Sequence, residues 1–424
     1  MITGHQLHAL HASHQRFVGK IKTEASHWLR HNLPYIKGTR GIVTTAGGSY
    51  LPVAVISIRM LRKTGSQLPV EVFLAKQAEW DPQICGVLFP TLNARCVVMQ
   101  NIFHAAGQDS GVKIGKYQYK IMAILFSSFE EVLFMDSDCF PAYDPEPLFL
   151  ADPFLSTGLV LWPDFWFPSE SSFFFEISEI KEPPMHVRSS TESGEILYSK
   201  PKHQLSLLLA TYYNYYGPNF YYPLQSQGAP GEGDKETFYW AAIALGESVY
   251  SVRTMVHALG YHTTEGEWRG SAMVQHDPIV DLATRHPHSS SGNGDVNDQD
   301  VPGYAATDSP HPPTHRRPYF VHANFPKFDP ATIFREEAMG ATGPTRDADG
   351  TFRRVWQPTE AAAIEEFGFD LERRLWSEIR STACEYEADF LAWAGTRDIC
   401  RNATMYWEAV FETKPNFVEN VEMR

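Results

Sequence analysis

This chain has no surplus of positive charge. Its 36 lysines and arginines are outnumbered by 50 aspartates and glutamates, for a formal net charge of −14. That balance argues against nucleic acid, and against anionic membrane surfaces, as main partners. There is no run of 18 apolar residues, so nothing reads as a membrane-spanning helix. The opening MITGHQLHALHASHQRF lacks the basic-then-apolar pattern of a signal peptide. Cysteine is scarce, and its five positions contain neither a CxxC pair nor a zinc-ligand spacing. Cys85 with Cys96, and Cys384 with Cys400, can each close a short loop in an oxidising compartment, leaving Cys139 free. The one N-glycosylation sequon, Asn402-Ala403-Thr404, matters only in a secretory chain. No internal repeat is visible, and there is neither GxGxxG nor a P-loop lysine, which removes the dinucleotide fingerprint and the Walker motif.

What is present is ordinary globular material, 43% hydrophobic and 20% charged, long enough at 424 residues for a large α/β domain with additions. Aromatics are plentiful (27 Phe, 19 Tyr, 10 Trp) and crowd between Trp162 and Tyr239. They serve either as core, the commoner use, or as platforms on which sugar rings stack.

A surface helix is expected over residues 15–33. After it come a β-branched strand at 41–45, a Gly-rich turn, an apolar-periodic helix at 53–61 and a second strand at 68–74. A helical stretch at 81–88, a third strand at 94–99 and a helix at 117–127 lead to a fourth strand entering Asp136. This alternation predicts an α/β fold with a Rossmann-like, mostly parallel sheet flanked by helices. A fifth strand at 158–164, helices from Pro201 to Tyr216 and on to Leu245, and a strand at 318–324 follow. Residues 285–317 are polar and Pro/Gly-rich and read as a disordered insertion. From Thr359 onward the chain reads as helical, with Trp376, Ile379, Phe390 and Trp393 as packing residues. The expected division is an N-terminal stem at 1–39, a catalytic domain at 40–330 and a helical extension at 331–424.

The chemistry concentrates in EVLFMDSDCFPAY (131–143), where a buried apolar strand stops at Asp136-Ser137-Asp138. In open α/β sheets, ligands bind outside the carboxyl ends of strands, where such a pair would sit. Two carboxylates there suit a hard cation such as Mn²⁺ or Mg²⁺, which would screen a diphosphate in a chain this acidic. His322, closing an apolar strand, is the best candidate for a third ligand, and Lys327 beyond it could touch a phosphate. Backbone amides around Thr44, Thr45 and the following glycines can meet a nucleotide at a helix N-terminus. Asp234 and Glu236, at a later helix start, either serve the helix dipole or orient a sugar hydroxyl, with Glu192 and Glu195 as rivals.

RGIVTTAGGSYLPVA (40–54), KYQYKIMAILFSSFEEVLFMDSDCFPAYDPEPLF (116–149), ESGEILYSKPKHQLSLLLATYYN (192–214) and GEGDKETF (231–238), with the shorter LPVEVFLA and GLVLWPD blocks, resemble fungal Golgi α-mannosyltransferases of the Mnn type, glycosyltransferase family 71. The resemblance runs in order from about residue 40 to 330. It implies a GT-A-type fold, GDP-mannose as donor, a divalent metal (usually Mn²⁺) and a mannose-containing N-glycan or mannan acceptor. It also implies transfer with retention, and other Golgi mannosyltransferases as partners. Under it Asp136 and Asp138 take the DxD metal role, Thr44 and Thr45 the nucleotide-contacting strand end, and Lys120 a diphosphate contact. Asp234 and Glu236 go to the donor or acceptor sugar, without either being named a nucleophile, and the aromatics from Trp162 to Tyr222 help line an acceptor groove. The blocks look closer to α-1,2 than to α-1,3 members. Such proteins work in the Golgi lumen from a membrane anchor that this sequence does not show, and Cys139 stands where a polar residue is more usual. The rivals are the α-1,3 specificity, a non-catalytic subunit of a mannosyltransferase complex, and a haloacid-dehalogenase-type phosphatase. The last would want a hydroxyl residue where Phe140 stands.

Overall fold

The structure is a computed structural model. It describes residues 3–32, 35–107, 113–184, 188–263, 265–284, 316–335, 344–356 and 359–412. Apart from Arg316 and Arg317, the expected insertion at 285–317 lies outside the described residues. The chain forms two units, 1–257 with 273–322, and 258–272 with 323–424, where the sequence set boundaries at 39 and 330.

The first unit is built on a sheet of seven strands. They are β1 (Ile36–Thr45), β2 (Val70–Leu74), β3 (Ala94–Val98), β4 (Phe129–Met135), β6 (Leu159–Pro163), β7 (Thr191–Ser199) and β8 (Tyr250–Ser251), with β5 (Cys139–Pro141) set aside in a second small sheet. The order is β3-β2-β1-β4-β7-β6-β8. Every strand but β7 runs the same way, because β7 is antiparallel to both β4 and β6 while the other pairings are parallel. This is the mostly parallel, helix-flanked α/β sheet expected of the GT-A type.

Val132, Leu133 and Phe134 of β4 are fully buried, which is why this run needs no alternation of polar residues. Burial of each such side chain contributes roughly 1.5–3 kcal/mol. The helix Gln118–Phe126 lies against β1, and its Ile121, Ala123 and Ile124 are buried in the same core as Val132 and Phe134 of β4. The N-terminal helix spans Gly4–Asn32 and so begins well before the expected residue 15. Thr3 and Gln6 cap its start reciprocally through side chain and backbone. It packs on the first unit through His14, whose Nε2 lies 2.8 Å from the Tyr213 hydroxyl, and through Phe17 stacked on Tyr212.

Two further strands complete this unit: the end of β10 (Trp268–His276; β9 is His257–His262) and β11 (Pro318–His322). β11 pairs antiparallel with β10 on one side and with β5 on the other. Cys85 and Cys96 are disulfide-bonded, and Cys139 is free and buried.

The second unit buries Trp376, Ile379, Phe390 and Trp393, as their spacing predicted. Its helices are Glu360–Phe367, Leu371–Tyr386 and Ile399–Trp407, with the Trp376 and Tyr406 rings 3.8 Å apart and a Cys384–Cys400 disulfide. No described helix is long and apolar enough to cross a membrane.

Candidate active site

The fourth strand stops for a local reason. The amide of Asp136 makes a 2.8 Å bond to the Gly194 carbonyl of β7, and the Cys139 amide then bonds back to the Asp136 carbonyl at 2.9 Å. The chain therefore turns over Asp136-Ser137-Asp138 and re-enters a strand at once as β5. The Ser57 hydroxyl pins the turn by donating to the Ser137 carbonyl at 2.6 Å. In the small sheet His322 stands directly opposite Cys139. That register carries a residue nearly two hundred positions away onto the Asp136–Asp138 turn.

The result is a tight polar cluster. His322 Nε2 lies 3.4 Å from Asp138 Oδ1, and its Nδ1 lies 3.3 Å from Glu192 Oε1. Ligand atoms of Asp136, Asp138 and His322 all lie within 4.8 Å of one another. Lys120 Nζ sits 3.2 Å from Asp136 Oδ2 and 3.5 Å from Asp234 Oδ2, and it donates to the Ser193 carbonyl and, at 2.9 Å, to the Ser193 hydroxyl. The Ser193 hydroxyl in turn donates to Asp234 Oδ1 at 3.4 Å.

Burial disfavours every charge here, and neighbours decide the outcome. Burial would lower His322, but Asp138 and Glu192 on either side hold the imidazole well above its ordinary value. Burial would likewise raise Glu192, yet His322, Lys120 and the Gly194 amide bring it down to about 2. Burial lowers Lys120 as well, and Asp136, Asp234 and Glu192 outweigh it to leave the ammonium above its usual range. Asp136 is raised by burial against the pull of Lys120 and His322, and Asp234 is raised by burial to about 6. Burial and Glu192 push Glu195 well up, and it accepts from the Cys139 thiol.

This donor set fits a divalent cation. Asp136, Asp138, Glu192 and Asp234 are four carboxylates facing two cationic side chains, Lys120 and His322, so the full ionised set is negative by two. Two carboxylates and an imidazole suit Mn²⁺ or Mg²⁺. A metal-ligating histidine commonly has its other nitrogen held by a carboxylate, and Glu192 stands there. The overlapping set of Glu192, Glu195 and His322 also converges within 4.8 Å. It is the poorer site, because Glu195 is fully buried and burial pushes its carboxyl up, which disfavours the carboxylate a cation would need.

The other expected residues divide. Val43 of β1 is abreast of Phe134 of β4, so Thr44 and Thr45 continue beside Met135 and Asp136 at one rim. Thr44 is buried with its hydroxyl unpartnered, and Thr45 is half-buried. Lys120, expected at the diphosphate, has a side chain only 6% exposed, and its donors go to Asp136 and Ser193. Glu236, expected at the sugar, is likewise engaged by neighbours. It is 1% exposed, one oxygen accepts from the Thr191 amide at 2.8 Å, and the other is held by Arg188, which also binds Glu170 at 2.7 Å. Asp234 belongs to the cluster, whereas Lys327 is a half-buried residue of the second unit.

The sequence reading passed over Ser193 and Gly194. A Cβ on Gly194 would lie 2.7 Å from His322 Cε1 and 2.9 Å from Glu192 Oε2, so only glycine admits the ring. A glycine inside a strand, in the run Glu192-Ser193-Gly194-Glu195, was the signal available.

A mannosyltransferase family model matches residues 39–190 and 181–277, more than half of the chain, and the chain belongs to that family. This agrees with the resemblance read from the motifs. Curated relatives include α-1,2-mannosyltransferase MNN21 of Candida albicans, 34% identical over 94% of this chain and 65% of the relative. Another is α-1,2-mannosyltransferase MNN2 of Saccharomyces cerevisiae, 31% identical over 79% of this chain and 63% of the relative. The chain thus spans somewhat under two thirds of these relatives' length. Among solved structures, the mannosyltransferase PcManGT from Pyrobaculum calidifontis in complex with GDP-Man and Mn²⁺ aligns at 14% identity and a TM-score of 0.27, over 58% of this chain and 65% of that one. At that score the likeness carries no chemistry across.

Proposed function

We propose that the chain is a metal-dependent, retaining α-mannosyltransferase that moves mannose from GDP-mannose to a mannose residue of an N-glycan or mannan, with α-1,2 linkage. Family membership and the relatives' α-1,2 activity support the reaction class. The observation that carries the mechanism is the convergence of Asp136, Asp138 and His322 on one point at the carboxyl end of β4. These three residues would hold the cation, which when bound neutralises the diphosphate and stabilises it as a leaving group. The end of β1, with Thr44 and Thr45, would take the nucleotide, because it adjoins Asp136 in the sheet. Lys120 fixes the distance between Asp136 and Asp234, and it keeps both carboxylates from repelling each other in a buried site. Asp234 is the residue we place at the sugar. Two disulfides suit the oxidising Golgi lumen, where we place the protein's action.

The test is donor turnover with GDP-mannose, UDP-glucose and UDP-galactose, with and without Mn²⁺, using an α-mannobiose acceptor. The expected result is Mn²⁺-dependent turnover of GDP-mannose alone, lost in Asp138→Ala, with an α-1,2-linked product. Turnover of no donor by folded protein, with larger mannan acceptors also tried, would overturn the enzymatic reading in favour of a non-catalytic subunit.

A further inference from the structure

Most of the aromatic wealth between Trp162 and Tyr239 turns out to be core. Trp162, Tyr198, Tyr213, Tyr221, Tyr239 and Trp240 are all almost completely buried. Phe173, Tyr215, Tyr216 and Phe220 are exposed at 38–42%, and one consecutive stretch stands out further still. Phe165, Trp166 and Phe167 are consecutive, and they stand 43%, 49% and 61% exposed. Three large aromatics side by side in water forgo several kcal/mol of burial that a core position would supply.

Their place is fixed by the register of the sheet. Phe134 of β4, Ile196 of β7 and Leu161 of β6 lie abreast in three adjacent strands. Beyond that row the β6–β7 register shifts, so that Trp162 stands opposite Glu192 of the cluster, and Asp136 and Phe165 both follow the carboxyl ends of strands running the same way. Two strand spacings separate β4 from β6, about 10 Å. The aromatic stretch and the acidic cluster therefore share one rim. The nucleotide end, at Thr44 and Thr45, lies on the opposite side of Asp136, so β6 is the side left for the second substrate.

The stretch is also held in place. The Phe165 amide donates to Asp164 Oδ1 at 2.7 Å, and Asp164 pairs with Lys235 at 2.9 Å, the residue next to Asp234. The Ser190 amide donates to the Trp166 carbonyl at 2.8 Å, and the Asp164 amide to the Ser190 carbonyl at 2.8 Å. Farther along, Ser169 bonds to the Ser226 carbonyl at 2.8 Å. An exposed aromatic surface whose backbone is tied at both ends binds with little ordering loss.

We propose that Phe165, Trp166 and Phe167 form the acceptor platform, on which pyranose rings of the oligosaccharide stack through their C–H faces. The assignment rests on the mannosyltransferase reading for the identity of the sugar, but not for the existence of the platform. Exposed aromatic rings on the rim that also carries an acidic cluster match the two chemistries of a pyranose, an apolar ring face and a polar edge.

The test compares wild type with Phe165→Ala/Trp166→Ala and with Trp166→Phe, after matching thermal unfolding shows that all are folded. Binding of a mannotetraose is titrated calorimetrically without donor, and GDP-mannose hydrolysis is measured without acceptor. Stacking of this kind predicts a loss of about 3- to 10-fold in oligosaccharide affinity per ring removed, and an equal rise in acceptor KM. GDP-mannose hydrolysis should not change, and Trp166→Phe should keep most of the affinity. Equal mannotetraose binding by wild type and the double variant overturns the platform, whatever the donor result, as does failure of wild type to bind. Weakened binding in the double variant supports it even if no donor turns over, an outcome that overturns the enzymatic reading alone.

Discussion

Gly194→Ala is the substitution that tests the cluster most sharply, because it adds one methyl group and removes nothing. The new Cβ would stand 2.7 Å from His322 Cε1, where ordinary contact begins near 3.4 Å. Nδ1 of the ring would lie closer still, so the ring must retreat by more than about 0.7 Å, or β7 must bend away from β4. β7 has little room to do so, because the Gly194 carbonyl accepts the Asp136 amide and the strand is paired on both sides. The imidazole therefore gives way, and it loses its alignment with Asp138 on one side and Glu192 on the other. Disturbing such a carboxylate–histidine arrangement costs about 10- to 100-fold in metal affinity. A displacement approaching 1 Å near the chemistry costs up to about 10²-fold in rate. Overpacking a buried site adds about 1–3 kcal/mol of destabilisation. The assay is Mn²⁺ titration followed by electron paramagnetic resonance, beside urea unfolding of the same samples. The expected variant is folded, less stable, and at least tenfold weaker for Mn²⁺. Wild-type Mn²⁺ affinity in a folded Gly194→Ala protein would refute the claim that His322 is a ligand, since no other expected ligand is touched.

Arg188→Met should destabilise the first unit by about 3–5 kcal/mol in urea unfolding, because it strands the buried carboxylates of Glu170 and Glu236; a loss under 1 kcal/mol would refute the clamp. Replacing Cys85 and Cys96 together by alanine should lower stability by about 2–4 kcal/mol, and reductant should then shift the variant less than the wild type. Lys200 is buried and donates to Leu125 and Ser127 carbonyls, and burial lowers its pKa from 10.5 to about 7. The unfolded chain holds that proton more tightly, so stability should rise from pH 7 toward pH 10.5, the penalty being fully present below pH 7. Stability curves for wild type and Lys200→Met should converge or cross over that range; a constant gap would show that Lys200 does not titrate there.

Much of this was legible in the residues. The run Val132–Met135 has no reason to be so apolar unless it is a central strand, and Asp136-Ser137-Asp138 has no reason to follow unless the strand ends there. His322 was legible as the end of another apolar strand, though its position opposite Cys139 was not, because register is set by pairing and not by composition. The surroundings of Lys120 and Glu236 were not legible, for one physical reason. A sequence shows that a residue carries charge, but not that the charge is already spent on a buried neighbour. Lys120 is engaged by Asp136 and Ser193, and Glu236 by Arg188 and the Thr191 amide. The aromatic excess was legible as a quantity, yet burial alone separates Phe165–Phe167 from the core.

The deeper obstacle was the direction of β7. In a wholly parallel sheet, a strand inserted between β4 and β6 would bring its last residues to the rim, here Leu197–Ser199. Because β7 is antiparallel, its first residues arrive there instead. Glu192, Ser193, Gly194 and Glu195 thereby meet the Asp136–Asp138 turn at the point where β4 ends. One reversed strand thus supplies the carboxylate that flanks His322, the hydroxyl that joins Lys120 to Asp234, and the glycine that leaves room for the ring. Since β7 also pairs with β6, the same strand sets the distance from the cluster to the exposed aromatics. A change that shifts β7 by one residue relative to β4 would disturb all of these contacts together. Substitutions along Thr191–Glu195 should therefore couple in double-mutant cycles with His322→Ala.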